Sequence, residues 1–479
     1  KINLSINKKN IISNLKINSF LNFEKLSVNY KSNILKKFFK VYDDNIYLTG
    51  DSIEINYTKN STEITGKGKY SFNEKYDDYE IKFFNKNNLY EFKNFFNLNN
   101  IPIKIDQINY FKKENKLSNI NLIGSYNKNN KNLYLKEANL SEENNKLQFS
   151  NLTLELINGI KIKNIDKLEF NYLNDKKKLN NINLIKYNNN FKLTGKDFDG
   201  RFLINNIIKG NKKSNFLKLF KNLNSEISLN LDQFYLGDKS YLKQVVGNLV
   251  IKNNKIYSGI IDANLNKKNK FSYELKTTVD NKKITNLYID EPEPFIKNYK
   301  FIKGFKKGKL EFESTKIKKV SKSKLKIYDF KVKEVPLLAK VLTLASLQGI
   351  ADLLTGEGIR FDELEMEYVN RDENNTTINE MYAIGPAISI LLEGYLVKDK
   401  LISLRGTLVP ATTINKSIKK IPLIGNILVG KQIGEGVFGV SFKIKGPTDN
   451  PKTTVNPVKT ITPRFITRAL EEMKKKQAK

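Results

Sequence analysis

The chain has 479 residues, a formal charge of +33, and no cysteine, histidine or tryptophan. Its length exceeds one ordinary domain, and an aromatic content of 11% sets it apart from disordered chains, which are depleted in such residues. Without cysteine there is no disulfide framework or thiol chemistry, and without histidine there is no Ser-His-Asp triad or imidazole metal site.

Residues 1–329 read as strand after strand. Ile2, Leu4 and Ile6 alternate with polar residues, as do Ile53, Ile55 and Tyr57, then Ile227, Leu229 and Leu231, and then Phe271, Tyr273, Leu275, Thr277 and Val279. A period of two places such side chains on one face of a sheet. Turn clusters such as Lys59-Asn60, Asn253-Asn254-Lys255 and Asp280-Asn281-Lys282 separate the runs and predict tight connections between antiparallel neighbours. A phase slip between Phe149 and Leu152 predicts a bulge. Short helices are expected at 33–41 and 215–223, and Pro292 and Pro294 mark a loop.

Composition shifts at residue 330. Only Pro102, Pro292 and Pro294 precede it. Pro336 suits the first turn of a helix, and Leu337, Leu338, Val341, Leu342, Ala345, Ile350, Leu353 and Leu354 make that helix apolar on most sides, with Gly356 as its stop. Strands are expected again at 360–369, 376–384, 387–397 and 401–409. A helical element covers 411–429, broken near Pro422 and Gly425, and Phe438, Val440, Phe442 and Ile444 alternate as a last strong strand. Residues 462–476 read as an amphipathic helix with a basic end. The most apolar stretch, Val335 to Leu354, is interrupted by Lys340, Gln348 and Asp352, so it is not a membrane span. The chain begins at Lys1, and a fragment or a processed chain is expected.

The charge raises the question of anionic partners. Arg201 is the lone arginine before residue 330, and arginine is the side chain suited to bidentate phosphate and guanine contacts. A solvated Lys/Asn surface explains most of the charge, and lipid headgroups remain as an anionic partner. Lysines interleave with aromatics between Tyr70 and Phe84, a pattern that also suits single-stranded nucleic acid, but no RNA- or DNA-binding motif accompanies them.

Catalytic signals are weak. Gly434-Glu435-Gly436-Val437-Phe438-Gly439 matches G-x-G-x-x-G, but the following GVSFKIKG reads as a strand rather than a helix. Too little chain follows for a kinase. Asp362, Glu363, Glu365 and Glu367 alternate with Leu364, Met366 and Tyr368, which places the carboxylates on a solvent face. No enzyme, cofactor or metal is expected.

A one-sided antiparallel sheet must cover its apolar face, and helix is too scarce in residues 1–329 to supply a second layer. The sheet can fold on itself as a sandwich, close as a filled barrel, or form a trough whose lining is covered by a long apolar ligand.

The stretch Phe330 to Pro457 resembles the AsmA-like C-terminal region of the AsmA/YhdP/TamB group of bacterial envelope proteins. The resemblance is carried by Phe330, Val332, Pro336-Leu337, Ala339, Ser346-Leu347, Gly349, Leu353-Leu354, Gly356, Gly358, Phe361 and Leu364. It continues through Gly385-Pro386, Gly394, Gly406-Thr407, Pro410, Asn415, Ile421-Pro422-Leu423, Gly425, Leu428 and Gly430. It ends with Glu435-Gly436, Phe438-Gly439, Gly446, Pro451 and Val455-Asn456-Pro457. The chain departs from the family pattern at Val458-Lys459 and Arg464.

The resemblance implies a mainly β fold: an elongated, curled, taco-like antiparallel β-groove with a few short helices, two of them near the C-terminal end. Residues 1–329 would be part of a longer groove body and 330–479 its AsmA-like end. It implies non-enzymatic phospholipid transport between inner and outer membranes by a periplasmic body anchored in the inner membrane. The partners would be acyl-chain lipids and membrane surfaces, and not nucleic acid. On this reading Leu337, Leu338, Val341, Leu342, Ala345, Leu423, Ile424, Ile427 and Leu428 contact lipid near the groove end. Ile227, Leu229, Leu231, Phe438, Val440 and Phe442 line the groove. The alternative is a scaffolding envelope protein with self-filled β-domains.

Overall fold

A computed structural model describes the chain except for residues 1, 7–11, 106–107, 158, 202–203, 205–215, 266–268, 299–303, 334, 346, 373, 411–438 and 459–479. Among the described residues the fold is mainly β, with 26 strands in a largely antiparallel sheet and a separate two-stranded pair. Two compact units divide it, Lys1–Tyr257 and Ser258–Lys479.

In the first unit most strands pair with the next along the chain, while Leu89–Asn97 skips the separate hairpin Ile103–Ile105/Tyr110–Lys112 and pairs with Ser118–Asn127. Asparagine makes the tight turns possible. Asn87 and Asn88 join strands Asp77–Lys86 and Leu89–Asn97 with φ of 51° and 64°, the two left-handed residues a type I′ hairpin requires. Asn151 (φ 51°) carries the expected irregularity between Phe149 and Leu152. Strand Asn145–Glu155 there changes partner, from Lys167–Leu173 before Asn151 to Lys161–Asn164 after it. Strands Asn190–Asp199 and Ser225–Tyr235 run parallel, so the intervening segment 200–224 must return the chain to the starting end.

One strand-end edge of this unit carries a cap. It comprises the short helix α1 (Asn33–Phe38), the hairpin Ile103–Ile105 and Tyr110–Lys112, and the loops around them. Ser32 caps α1 by accepting the Leu35 amide. Lys112 is 0% exposed, and its ammonium donates to the carbonyls of Asn99 (3.3 Å), Ile101 (2.9 Å) and Lys113 (3.0 Å). Those three bonds use all the donors an ammonium has. Burial pushes the Lys112 pKa down, against the opposing pull of Glu142 and Asp77.

The second unit is an antiparallel meander from strand Lys255–Asn264, which starts just before the boundary, to Lys452–Val458. The expected strands at 360–369, 376–384, 387–397 and 401–409 form at Ile359–Asn370, Asn375–Ile384, Ile388–Val397 and Leu401–Pro410. The meander has two different edges. Along one lie tight, polar turns at 278–282, 318–319, 371–374, 398–400 and 447–451. Along the other lie the long connections, including helix α2 (Glu293–Asn298), α3 (Pro336–Leu344) and α4 (Gln348–Thr355).

Three expectations change. Residues 292–294 open a short helix rather than a plain loop, because Pro294 lies in its first turn, where a missing N–H is harmless. Residues 215–223 form only a 3-10 turn at Phe216–Leu219. The apolar helix is two helices: α3 ends at Ala345, α4 restarts at Gln348, and Gly356 closes it by donating its amide to Asp352. The helix α3 begins beside strand Val320–Val332 and touches strand Lys452–Val458, six strands further along the sheet.

Leu342 is 0% exposed and Leu344 is 51% exposed on the same helix. Leu342→Ala should cost about 2–5 kcal/mol and Leu344→Ala no more than about 0.5 kcal/mol, as read from urea unfolding midpoints. At the cap, Lys112→Met should destabilise by about 1–3 kcal/mol despite its greater apolarity, since it leaves buried carbonyls without their donor.

Candidate functional site

Register converts the single-strand alternation into continuous rows. In the second unit Ile261, Tyr273, Leu287, Phe312, Leu325, Met366, Met381, Leu392, Gly406, Phe442 and Val455 are successive cross-strand partners. All but Phe442 are only partly buried. At the usual strand spacing this apolar row runs roughly 50 Å along the sheet. The next row toward the helices includes Ile289, Ile327, Ala383, Ile390, Leu408 and Val440, all buried. The helical edge is therefore packed and the middle row stays accessible.

The first unit repeats the pattern. Leu21, Ile53, Gly66, Ile81, Asn94, Leu122, Ala138, Phe149, Leu168, Leu184, Leu193, Leu229 and Gly247 are successive partners. Most of them are half-buried. A parallel row nearer the cap, including Tyr79, Leu140, Leu147, Phe170, Leu231 and Val245, is buried. Glycine in these rows lets a neighbour lie over the backbone: a Cβ at Gly406 would stand 2.6 Å from the Phe442 ring.

The candidate residues distribute as follows. Ile227 and Leu229 are half-buried and Leu231 is buried, all on one face of Ser225–Tyr235. Val440 and Phe442 are buried on Gly439–Gly446. Val341 (1% exposed) and Leu342 sit within the second unit's hydrophobic cluster, and Leu337 and Leu338 pack against it. That cluster also contains Phe442. Ala345 is half-buried at the end of α3. Leu423, Ile424, Ile427, Leu428 and Phe438 lie outside the described residues, as do the expected helical elements at 411–429 and 462–476 and the G-x-G-x-x-G run before Gly439.

Sequence reasoning missed the middle row of the second unit. Its signal was present in pairs such as Leu310/Phe312, Leu325/Ile327 and Leu364/Met366, but alternation in one strand does not fix alignment with the next.

The polar face is built from ion pairs. Glu363 and Glu365 were expected on a solvent face but are only 8% and 6% exposed. Long neighbours cover them: Glu365 takes Lys324 at 2.5 Å, Lys326 at 3.1 Å and the Tyr382 hydroxyl at 3.2 Å. Burial alone pushes the Glu365 carboxyl up, yet the two ammonium groups outweigh it and hold it below the ordinary carboxylate range. Arg201 is committed to protein contacts, with Nε donating to the buried Asp199 at 2.7 Å and a second guanidinium nitrogen to Asp238 at 2.5 Å. In the segment 70–84, Tyr70, Phe72 and Tyr79 are buried against one another, with ring centroids 5.7 and 6.2 Å apart. Among the described residues no group of three or more carboxylates is placed to hold a metal ion, and no helix is long and apolar enough to cross a membrane. Comparison with protein-family models, curated proteins and solved structures gives no match.

A carboxylate held below its unfolded value adds stability above that value, and the gain is lost as pH falls through the folded value. Wild-type unfolding midpoints should therefore drop as pH falls below the ordinary Glu value of 4.5. Glu365→Gln should be less stable at neutral pH and lose less on acidification.

Proposed function

We propose that the chain moves phospholipids without catalysis, between the inner and outer membranes of a bacterial envelope, along an apolar β-groove. The observation that carries this reading is the half-buried row from Ile261 to Val455. A soluble sheet leaves such a row accessible at a cost, and acyl chains laid on it recover about 2.5 kcal/mol per 100 Å² of apolar surface.

The row is roughly three times the length of one acyl chain, taking a leaflet as half of a hydrocarbon core of about 30 Å. Several lipids therefore fit in file. A uniform row offers no deep minimum, so a lipid shifts from one strand to the next without a large barrier. The helices α3 and α4 close the groove on one edge. The reach of α3 to strand Lys452–Val458 fits a sheet curled around its apolar face. The likeness of residues 330–457 to the AsmA-like region supports an inner-membrane-anchored periplasmic protein that serves outer-membrane assembly.

A scaffolding protein with filled β-domains is the second reading. The buried rows beside the cap and beneath the helices favour it.

Native mass spectrometry after gentle purification separates the two. Wild type should carry phospholipid, and Phe312→Asp, a charge on the accessible row, should lose it while keeping its far-ultraviolet circular dichroism. Leu231→Asp, on a buried row, should unfold. If wild type is lipid-free and Phe312→Asp also unfolds, the filled-domain reading holds.

A further inference from the structure

We propose that the tight-turn edge of the second unit docks on a membrane, and that its partner is the surface of a bilayer containing anionic phospholipid. The proposal goes beyond the groove reading. It concerns the rim of the sheet, not its apolar face, and it stands or falls separately.

The meander sets the turns at 278–282, 318–319, 371–374, 398–400 and 447–451 along one strand-end edge. Neighbouring turns are two strands apart, so their tips stand roughly 10 Å from one another. The turn 318–319 is the most basic. Between Glu313 and Asp329 the sequence has six lysines and no acid. Lys324 and Lys326 among them pair with Glu365 on the polar face, and Lys316, Lys318, Lys319 and Lys322 surround the turn. Each of the other four turns has one described acid: Asp280, Asp372, Asp399 and Asp449. Asp280 is held by Lys282 at 2.8 Å, and Asp372 accepts the amides of Asn374 and Asn375 at 2.7 and 2.8 Å. Lys398 and Lys400 flank Asp399.

Apolar side chains stand among these lysines. Val279 is 101% exposed, and Ile317 and Val320, partners across the hairpin, are 46% and 40% exposed. A valine at a turn tip gains nothing in water, but at a bilayer interface it is buried. Lysine stems lie along such a boundary while their ammonium groups reach the phosphates. No aromatic residue occurs in the five turns, so bases would have nothing to stack on, which favours a bilayer over single-stranded nucleic acid.

The opposite edge differs. It holds α2, α3 and α4, and there Asp290, Glu291, Glu293, Asp329, Glu357 and Asp362 are interspersed with the lysines. An anionic surface is therefore drawn to one edge and not to the other, which orients the unit. The apolar row runs across the strands, so a bilayer on this edge lies alongside the row. On the transport reading this is the side from which lipid enters, because α3 and α4 pack the other.

The test is sedimentation of the full chain with vesicles of phosphatidylcholine, alone or mixed in equal parts with phosphatidylglycerol. Wild type should bind the mixed vesicles at least about tenfold tighter than the neutral ones, and the difference should shrink as salt rises. Lys318→Asn with Lys319→Gln should weaken binding to the mixed vesicles about thirtyfold. Asparagine suits position 318, where φ is 52°. Val279→Ser should weaken it about tenfold. Lys306→Gln with Lys331→Gln, on the helical edge, should change nothing. Lys398→Gln with Lys400→Gln serves where the first pair loses its far-ultraviolet circular dichroism, and should also weaken binding about thirtyfold.

Equal binding of wild type to both kinds of vesicle overturns the proposal. So does an equal loss in the turn pair and the helical-edge pair, which marks a response to net charge alone. Tighter binding to a single-stranded oligonucleotide than to the mixed vesicles at the same salt overturns the bilayer assignment in favour of nucleic acid. Phe312→Asp should sediment as wild type does, even where it carries no lipid in native mass spectrometry. If it fails to sediment, the apolar row rather than the edge meets the bilayer, and the proposal falls.

Discussion

Much of this structure follows from one constraint: most strands hydrogen-bond to a near neighbour in sequence while their side chains alternate between two faces. Apolar residues then collect on one face of the sheet, and among the described residues only caps and short helices cover it. Cover is complete at one strand-end edge of each unit, under the segment around Lys112 in the first and under α3 and α4 in the second. It is incomplete along the middle rows, where Leu229, Phe312, Leu325 and Met366 stay partly accessible. On the proposed transport reading, the balance of packed edge and accessible row is what distinguishes a conduit from a core. A fully buried row stabilises, and a half-buried one leaves apolar surface for a guest.

The opposite face answers a different demand. A sheet this long exposes a broad polar surface, and the chain fills it with lysine. Glu365 and Glu367 are matched to Lys324, Glu365 also to Lys326, and Glu365 is buried beneath them. The ion pairs keep that face soluble without offering a bidentate arginine surface, and the first unit's Arg201 is itself locked to Asp199.

Much of the fold was legible in the sequence. Period-two alternation and Asn-rich turns carry their own physics, so the strands between residues 359 and 410 and the Asn253-Asn254 and Asn281 turns are found where pattern places them, whereas the strand Lys452–Val458 was not foreseen. The left-handed residue at Asn151 was visible as a phase slip, although the pairing with strand Asn132–Glu142 keeps its register there and shows no bulge. Register was not legible, because pairing Met366 with Met381 depends on a shift between Ile378 and Met381 that no single strand reveals. The buried Lys112 was also invisible. It is one lysine among 83 basic residues, and only the converging carbonyls of its loop single it out. The break in the apolar helix at 345–347 escaped because Leu344 and Leu347 continue the apolar pattern through it.

Adjacent residues on opposite faces give the most direct test. Met366 lies on the apolar row and Glu367 on the ion-paired face. A photoreactive side chain at each position, activated in living cells, reports which face meets lipid. The account predicts phospholipid adducts from position 366 and none from 367. Adducts from both positions alike, or from neither, would contradict it.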